Sequence, residues 1–220
     1  MPRLFTYIIP IDDGAAPNPY WGTCTLNICK PGIRRVAKLG DWIAGFGSKD
    51  APSGNLSGRL VYAMEVTDIL SMQNYDLYTR RFLPDKIPTF AKPDVKSRLG
   101  DAIYDFYLSP PTQRKSVHLP SNQATDLSGK NCLLSNNFVY FGCNSIETPA
   151  SLKPIIYQGR GHRSTKNDSY VMEFAEWIKT VIKSGASIRG TPDYPINWTV
   201  GCGSGCKSRQ DEDDFEEDQP

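Results

Sequence analysis

Two thiols five residues apart, Cys24 and Cys29, stand beside three cations, Lys30, Arg34 and Arg35. A thiolate adds to an electrophilic carbon once nearby positive charge lowers its pKa, and this cluster can supply that field. Either cysteine also suits an interior as a small hydrophobe, Cys24 more so than Cys29. On an extended strand Asn27 and Cys29 share a face, while Cys24 points the other way. Asp41 and Asp101 each follow a glycine. As general acids or bases they could relay protons to a water that adds directly. Aspartate after glycine equally stabilises a tight turn through its own backbone.

Other side chains suit recognition of a nucleic acid base. Extruded bases are held between aromatic faces and read at their polar edges. Trp21, Phe46 and Tyr140 are candidate platforms, Trp21 the best placed because its surroundings read as a loop, whereas Trp42 lies in an apolar run and reads as core. Asn27 and Ser48 can supply edge hydrogen bonds or bond to local backbone. The run 159–163, Gly-Arg-Gly-His-Arg, sets Arg160, His162 and Arg163 among glycines. With Arg34 and Arg35 these make a candidate phosphate clamp, or else a solvated loop. His162 could also carry protons. Cys202 and Cys206 lack the adjacent second pair a zinc site needs, and Cys132 and Cys143 complete one only if the fold brings them close. No metal and no cofactor is therefore expected.

The elements that position these groups follow from local pattern. Residues 4–11 read as a first strand and 23–28 as a short β-branched one. Pro31 suits the first turn of a helix, in which Ile33, Val36 and Ala37 fall at helical spacing. Gly40-Asp41 turns the chain into a buried strand over 42–46, and a Gly/Ser/Asn/Pro loop over 48–58 leads to a strand over 59–67. Residues 71–96 suggest a short helix and an irregular excursion. A strand is expected over 101–108, a polar surface loop over 110–129, and a strand pair or bent strand over 131–141. The clearest helix spans 169–184, capped by Asn167, Asp168 or Ser169. Its stripe is Val171, Phe174, Trp177, Ile178, Val181 and Ile182, and Gly185 ends it.

At 220 residues the chain fits one domain over 1–200 with insertions, followed by a flexible Gly/Cys and then acidic tail over 201–220. No apolar run is long enough for a bilayer, and the N-terminus lacks a signal-peptide core. Six cysteines without such a signal favour reduced thiols and a cytoplasmic setting. The net charge of +1 hides an asymmetry, because residues 211–218 hold seven of the 24 acidic side chains. Without them 25 basic side chains face 17 acidic ones, a balance near +8, which suits a polyanion partner. The tail reads as a disordered solubilising extension or as a nucleic-acid mimic covering the basic face.

The motifs Asn18-Pro19, Cys24-Thr25-Leu26, Cys29-Lys30-Pro31, Ile33-Arg34, Gly40-Asp41-Trp42 and Gly45-Phe46-Gly47-Ser48 together resemble the family called nucleotide modification associated domain 2. The runs 135–142 and 159–163 extend the likeness over about residues 3–190. The order of elements also resembles the first half of a PUA-like barrel of the EVE kind, with Asn27, Arg35 and Gly40-Asp41 at similar spacing. The resemblance implies an α+β fold, a PUA-like β-barrel with flanking helices. It implies a DNA-modification protein that takes a flipped or modified base of the 7-deazaguanine type. A nitrile-hydrating enzyme acting on 7-cyano-7-deazaguanine in DNA is one reading, and a non-catalytic reader of a modified base is the alternative. The partners implied are DNA and other DNA-modification enzymes, a structural adaptor being a third role; no membrane is implied.

Overall fold

The computed structural model describes residues 1–182 and 187–194 of the chain. Its largest sheet begins with two runs dense in aromatic and β-branched residues, β1 (Leu4–Ile9) and β3 (Trp42–Gly47), which pair in parallel from Leu4 opposite Trp42 to Ile9 opposite Gly47. Between them lie β2 (Cys24–Leu26) and the helix α1 (Pro31–Val36). Strand β4 (Arg59–Glu65) runs antiparallel to β3, and β9 (Asn137–Tyr140) antiparallel to β4. The short strands β10 (Ile146–Glu147) and β11 (Ser187–Ile188) pair with β4 and β9.

A second sheet has the order β2, β8 (Asn131–Ser135), β5 (Asp68–Ser71), and a two-stranded hairpin joins β6 (Tyr104–Asp105) to β7 (Thr112–Gln113). Among the described residues no sheet closes on itself, so the expected barrel is corrected to open sheets in a mixed α+β fold. Strand β2 pairs with β8 in the second sheet, and the edge strand β1 takes an isolated bridge from Thr6 to Arg163.

Alternation along the strands makes two cores. Leu4, Trp42, Ala44 and Phe46 pack under the helix α4 (Val171–Ile182) through Val171, Phe174, Ile178 and Ile182. Phe5, Tyr7, Ile9 and Ile43 pack the other way against Leu26, Ile33 and Leu133 of the second sheet and α1. The expected long helix thus holds over 171–182, after a 3₁₀ segment at Thr165–Tyr170. The short helix of the irregular excursion is α2 (Met72–Phe82), capped by the Ser71 hydroxyl, which accepts from the Asn74 N–H.

Two expectations fail locally. The strand over 101–108 shrinks to Tyr104–Asp105, and the supposed surface loop over 110–129 holds α3 (Gln123–Ser128) and buried polar groups, Asp126 fully so. No described helix is long and apolar enough to cross a membrane.

Candidate active site

The turn from β2 into α1 carries Cys29 in an unusual backbone conformation. Cys29 has φ +58° and Lys30 φ +43°, both in the left-handed region that non-glycine residues avoid, at about 1–2 kcal/mol each. The turn is held from below by Arg34, which is fully buried. Arg34 Nε donates to the Cys29 carbonyl at 2.8 Å, and Nη1 donates to the Asn27 carbonyl at 2.5 Å and the Asn131 carbonyl at 3.2 Å. Nη2 donates to the Asp126 carbonyl. One guanidinium therefore clamps the turn, β8 and α3 together. Five donors in a rigid fork suit that task as no other cation does.

Above the clamp lies a chain of three groups. Cys29 Sγ is 3.3 Å from His118 Nε2. His118 Nδ1 is 2.5 Å from Asp126 Oδ2. The Tyr104 hydroxyl donates to the same oxygen at 2.8 Å, and Asp126 Oδ1 accepts the Cys29 backbone N–H at 2.8 Å. His118 and Asp126 are buried, while Cys29 is only half-buried. The thiol is thus the member of the chain nearest solvent. Burial opposes charge on His118, but the Cys29 thiol and the Asp126 carboxylate outweigh it and push the imidazole up to about 10. Burial likewise opposes charge on Asp126, yet His118, Arg34 and the Cys29 N–H hold its carboxyl below the usual range. With Nδ1 on the carboxylate, Nε2 is the ring nitrogen that faces sulfur. A nucleophile, an acid–base and a carboxylate that orients it recur in this order in thiol and serine enzymes.

The ligand atoms of the same three residues lie within 4.8 Å of one another, a spacing that also suits a metal ion. Both Asp126 oxygens are already engaged, one by the His118 ring and one by the Cys29 backbone. The carboxylate therefore sits behind the imidazole, and the donor set fits proton relay better than coordination.

The other residues singled out in the sequence are scattered. Cys24 is buried in the second core, and burial pushes its thiol up to about 12. Asp101 is fully buried; it accepts from the Thr25 and Tyr75 hydroxyls at 2.6 Å each, and burial raises its carboxyl. Beside it the buried Lys86 donates to Asn18, Thr23 and Thr25, so this is a structural network. Asp41 caps its own turn, accepting the Arg3 and Lys38 N–H groups at 2.8 Å, and pairs with the Arg3 guanidinium at 3.0 Å. It borders a cleft of about 470 Å³ with Met1, Pro2, Lys38 and Leu39.

Of the candidate base platforms, Phe46 lies in the core under α4, and Tyr140 is buried with its hydroxyl on Asp12 at 2.7 Å. Ser48 accepts from Asp50 in a surface turn. Asn27 is buried next to the clamp, its amide donating to the Asp101 carbonyl at 2.8 Å while its Oδ1 has no partner. Trp21 remains half-buried at a loop, packed edge-on to Tyr20. Arg34 is the buried clamp just described and cannot reach a phosphate. Arg35 is exposed and touches Ser128 Oγ. Arg160 lines a cleft of about 270 Å³ with Ile8, Pro10, Lys30 and Gln158. His162 is buried against Phe5, and Arg163 lies over the Tyr157 ring and donates to the Pro154 carbonyl. Cys202 and Cys206 lie outside the described residues.

Sequence reasoning thus missed His118 and Asp126. The signal available was thin: His118 is one of only two histidines in the chain, and it stands eight residues before Asp126 in a polar segment.

No curated protein and no solved structure matches this chain. The sequence model of one family, described as nucleotide modification associated domain 2, matches residues 1–201. The chain belongs to the nucleotide modification associated domain 2 family.

Proposed function

We propose that this protein is a thiol enzyme that modifies a base in DNA, with Cys29 as nucleophile, His118 as acid and base, and Asp126 as the group that orients the ring. The observation that carries this reading is the hydrogen-bonded series from Cys29 Sγ through His118 to Asp126. The family supplies the nucleotide-modification setting.

The finer reading is conversion of the nitrile of a 7-cyano-7-deazaguanine base to an amide. The Cys29 thiolate attacks the nitrile carbon; an S–C bond forms, one C–N π bond breaks, and nitrogen takes the His118 proton. The product is a neutral thioimidate. Neutral His118 then accepts a proton from water as hydroxide adds to the same carbon, and returns that proton to nitrogen. Collapse of the adduct breaks the C–S bond and forms C=O, and the hydroxyl proton goes to His118. Atoms balance as nitrile plus water giving amide, and the thiolate–imidazolium pair is restored.

The test is incubation of the protein with an oligonucleotide carrying 7-cyano-7-deazaguanine, followed by mass analysis of the nucleosides. Wild type should yield a product heavier by one water. Cys29→Ala should abolish it, and His118→Ala should lower the rate by about 10²–10⁴-fold. Product that persists in Cys29→Ala would overturn covalent catalysis. Binding of the oligonucleotide without turnover would leave the reader of a modified base in its place.

A further inference from the structure

The excursion between α2 and His118 places cations over aromatic rings on the surface beside the candidate site. Lys96 Nζ lies 4.6 Å from the Tyr20 ring centre and 5.7 Å from that of Trp21. Lys115 Nζ lies 4.4 Å from the Phe90 ring, and the Arg98 guanidinium 5.8 Å from the same ring. Lys96 and Lys115 are exposed, while Trp21, Phe90 and Arg98 are half-buried. Elsewhere in the excursion Lys92 pairs with Asp85, and Arg114 with Asp76 and Asp105, while the exposed Asp94 accepts the Lys96 backbone N–H at 3.1 Å. Lys96, Arg98 and Lys115 pair with no carboxylate among the described residues, and Arg98 Nε is buried without a hydrogen-bond partner.

The Trp21 end of this face shares a buried core with the thiol site. Trp21 and Tyr20 pack in one cluster with Ile28, Tyr104 and Val117. Those three flank the site directly: Ile28 precedes Cys29, Val117 precedes His118, and Tyr104 donates to Asp126.

We infer that the surface formed by Trp21, Phe90, Lys96, Arg98 and Lys115 binds single-stranded DNA on either side of the base delivered to Cys29. The inference deepens the reading above and rests on it for the base at Cys29. Single-strand sites combine a basic track for phosphates with flat rings on which bases stack. Lys96 over Trp21 and Lys115 over Phe90 are exposed lysines on flexible stems, while the buried Lys86 and the half-buried Arg98 lie near the same rings in fixed positions. Either exposed lysine can move onto a phosphate and leave the ring face to a base. A duplex keeps its base faces stacked inside and offers them to no ring, so the aromatic half of this surface favours the single strand.

The experiment is fluorescence anisotropy with a labelled 15-nucleotide single strand and its duplex, on the full chain, between 50 and 300 mM salt. The double variant Lys96→Gln/Lys115→Gln should weaken single-strand binding at least tenfold at 50 mM salt. It should also flatten the slope of log affinity against log salt by about 1.4, the value for two lost phosphate contacts. Phe90→Leu keeps apolar bulk and loses the flat ring; it should weaken single-strand binding several-fold and leave duplex binding unchanged. Lys166→Gln/Lys179→Gln, on and before α4, should leave both unchanged. Equal losses in both double variants, or a wild type that binds duplex as tightly as single strand, would overturn the proposal. The rate of Cys29 alkylation by iodoacetamide reports the thiol site separately. A lysine variant that keeps wild-type alkylation and still binds normally sinks the surface alone, whereas alkylation of Cys29 that is indifferent to His118→Ala sinks the thiol reading.

Discussion

At the level of single residues the site depends on which way one imidazole holds its proton. Asp126 fixes His118 with Nδ1 toward carboxylate and Nε2 toward sulfur. Asp126→Asn preserves size and can still bond the ring, but its amide N–H favours the wrong tautomer. Turnover should fall on the order of 10³-fold with little change in KM, and iodoacetamide should alkylate Cys29 more slowly than in wild type at pH 7. Exposed Cys143 provides the internal reference for that rate. The His118 shift also has a stability consequence. Its pKa is raised in the fold, so its contribution is complete below about 6.5 and is lost as pH rises through about 10. Asp12 behaves in the opposite sense. Burial raises its carboxyl to about 7 against the Tyr140 and Gly14 hydrogen bonds, so its burial penalty is absent below its ordinary pKa and complete above about 7. Asn removes the charge and keeps one oxygen to accept from the Tyr140, Gly14 and Asp193 donors. Asp12→Asn should therefore stabilise the protein by about 2–4 kcal/mol at pH 8 and by almost nothing at pH 4, read by urea unfolding at both values. A gain that is equal at the two pH values would show that charge burial is not its cause.

At the level of elements, Arg34 is the residue on which the β2–α1 turn, β8 and α3 meet. Gly129 closes tightly over it: a Cβ there would lie 2.2 Å from Arg34 Nη2. Gly129→Ala should destabilise the fold by about 1–3 kcal/mol through overpacking. Arg34→Lys, which replaces a five-donor fork by a point charge and leaves buried carbonyls unpaired, should cost about 2–4 kcal/mol. In both variants hydrogen exchange at Cys29 and Lys30 should speed up more than in β3 or β4, because the clamp holds the left-handed turn and not the central sheet. Uniform acceleration across the chain would contradict a local clamp. The same contrast explains what could be read from sequence. The strands β1, β3 and β4 and the helix α4 were legible because their apolar runs have the period of the element that buries them. Cys29 and its turn were legible as a dense local motif. His118 and Asp126 were not, since a polar segment buried through side-chain hydrogen bonds has no apolar period and reads as solvent-exposed loop. Arg34 was misread for the complementary reason: sequence shows its charge, while only the fold shows four carbonyls converging on it. The pairing of β2 with β8 is nonlocal, and local pattern does not encode it.

At the level of the whole molecule, charge is distributed along the chain more unevenly than the net value of +1 suggests. Residues 211–218 hold seven carboxylates and lie outside the described residues. They are tethered to a body with a balance near +8, so they meet its basic surfaces at the high effective concentration of an intramolecular ligand. On the reading of the tail as a nucleic-acid mimic, a strand of DNA arriving at Lys96, Arg98 and Lys115 competes with them. Truncation after residue 210 should therefore tighten single-strand binding about tenfold at 50 mM salt and steepen the salt slope, since more counterions are released when no carboxylates already occupy the surface. The gain should fade above about 0.5 M salt, where the Debye length drops to a few ångströms. Adding the peptide 207–220 in trans at millimolar concentration should restore weak binding to the truncated chain, and a scrambled peptide of the same charge should do so equally well, because the competition is electrostatic. Unchanged affinity after truncation would assign the tail to solubility alone; a gain that persists at high salt would point to a specific fold of the tail on the surface, and either result would remove electrostatic competition as the explanation.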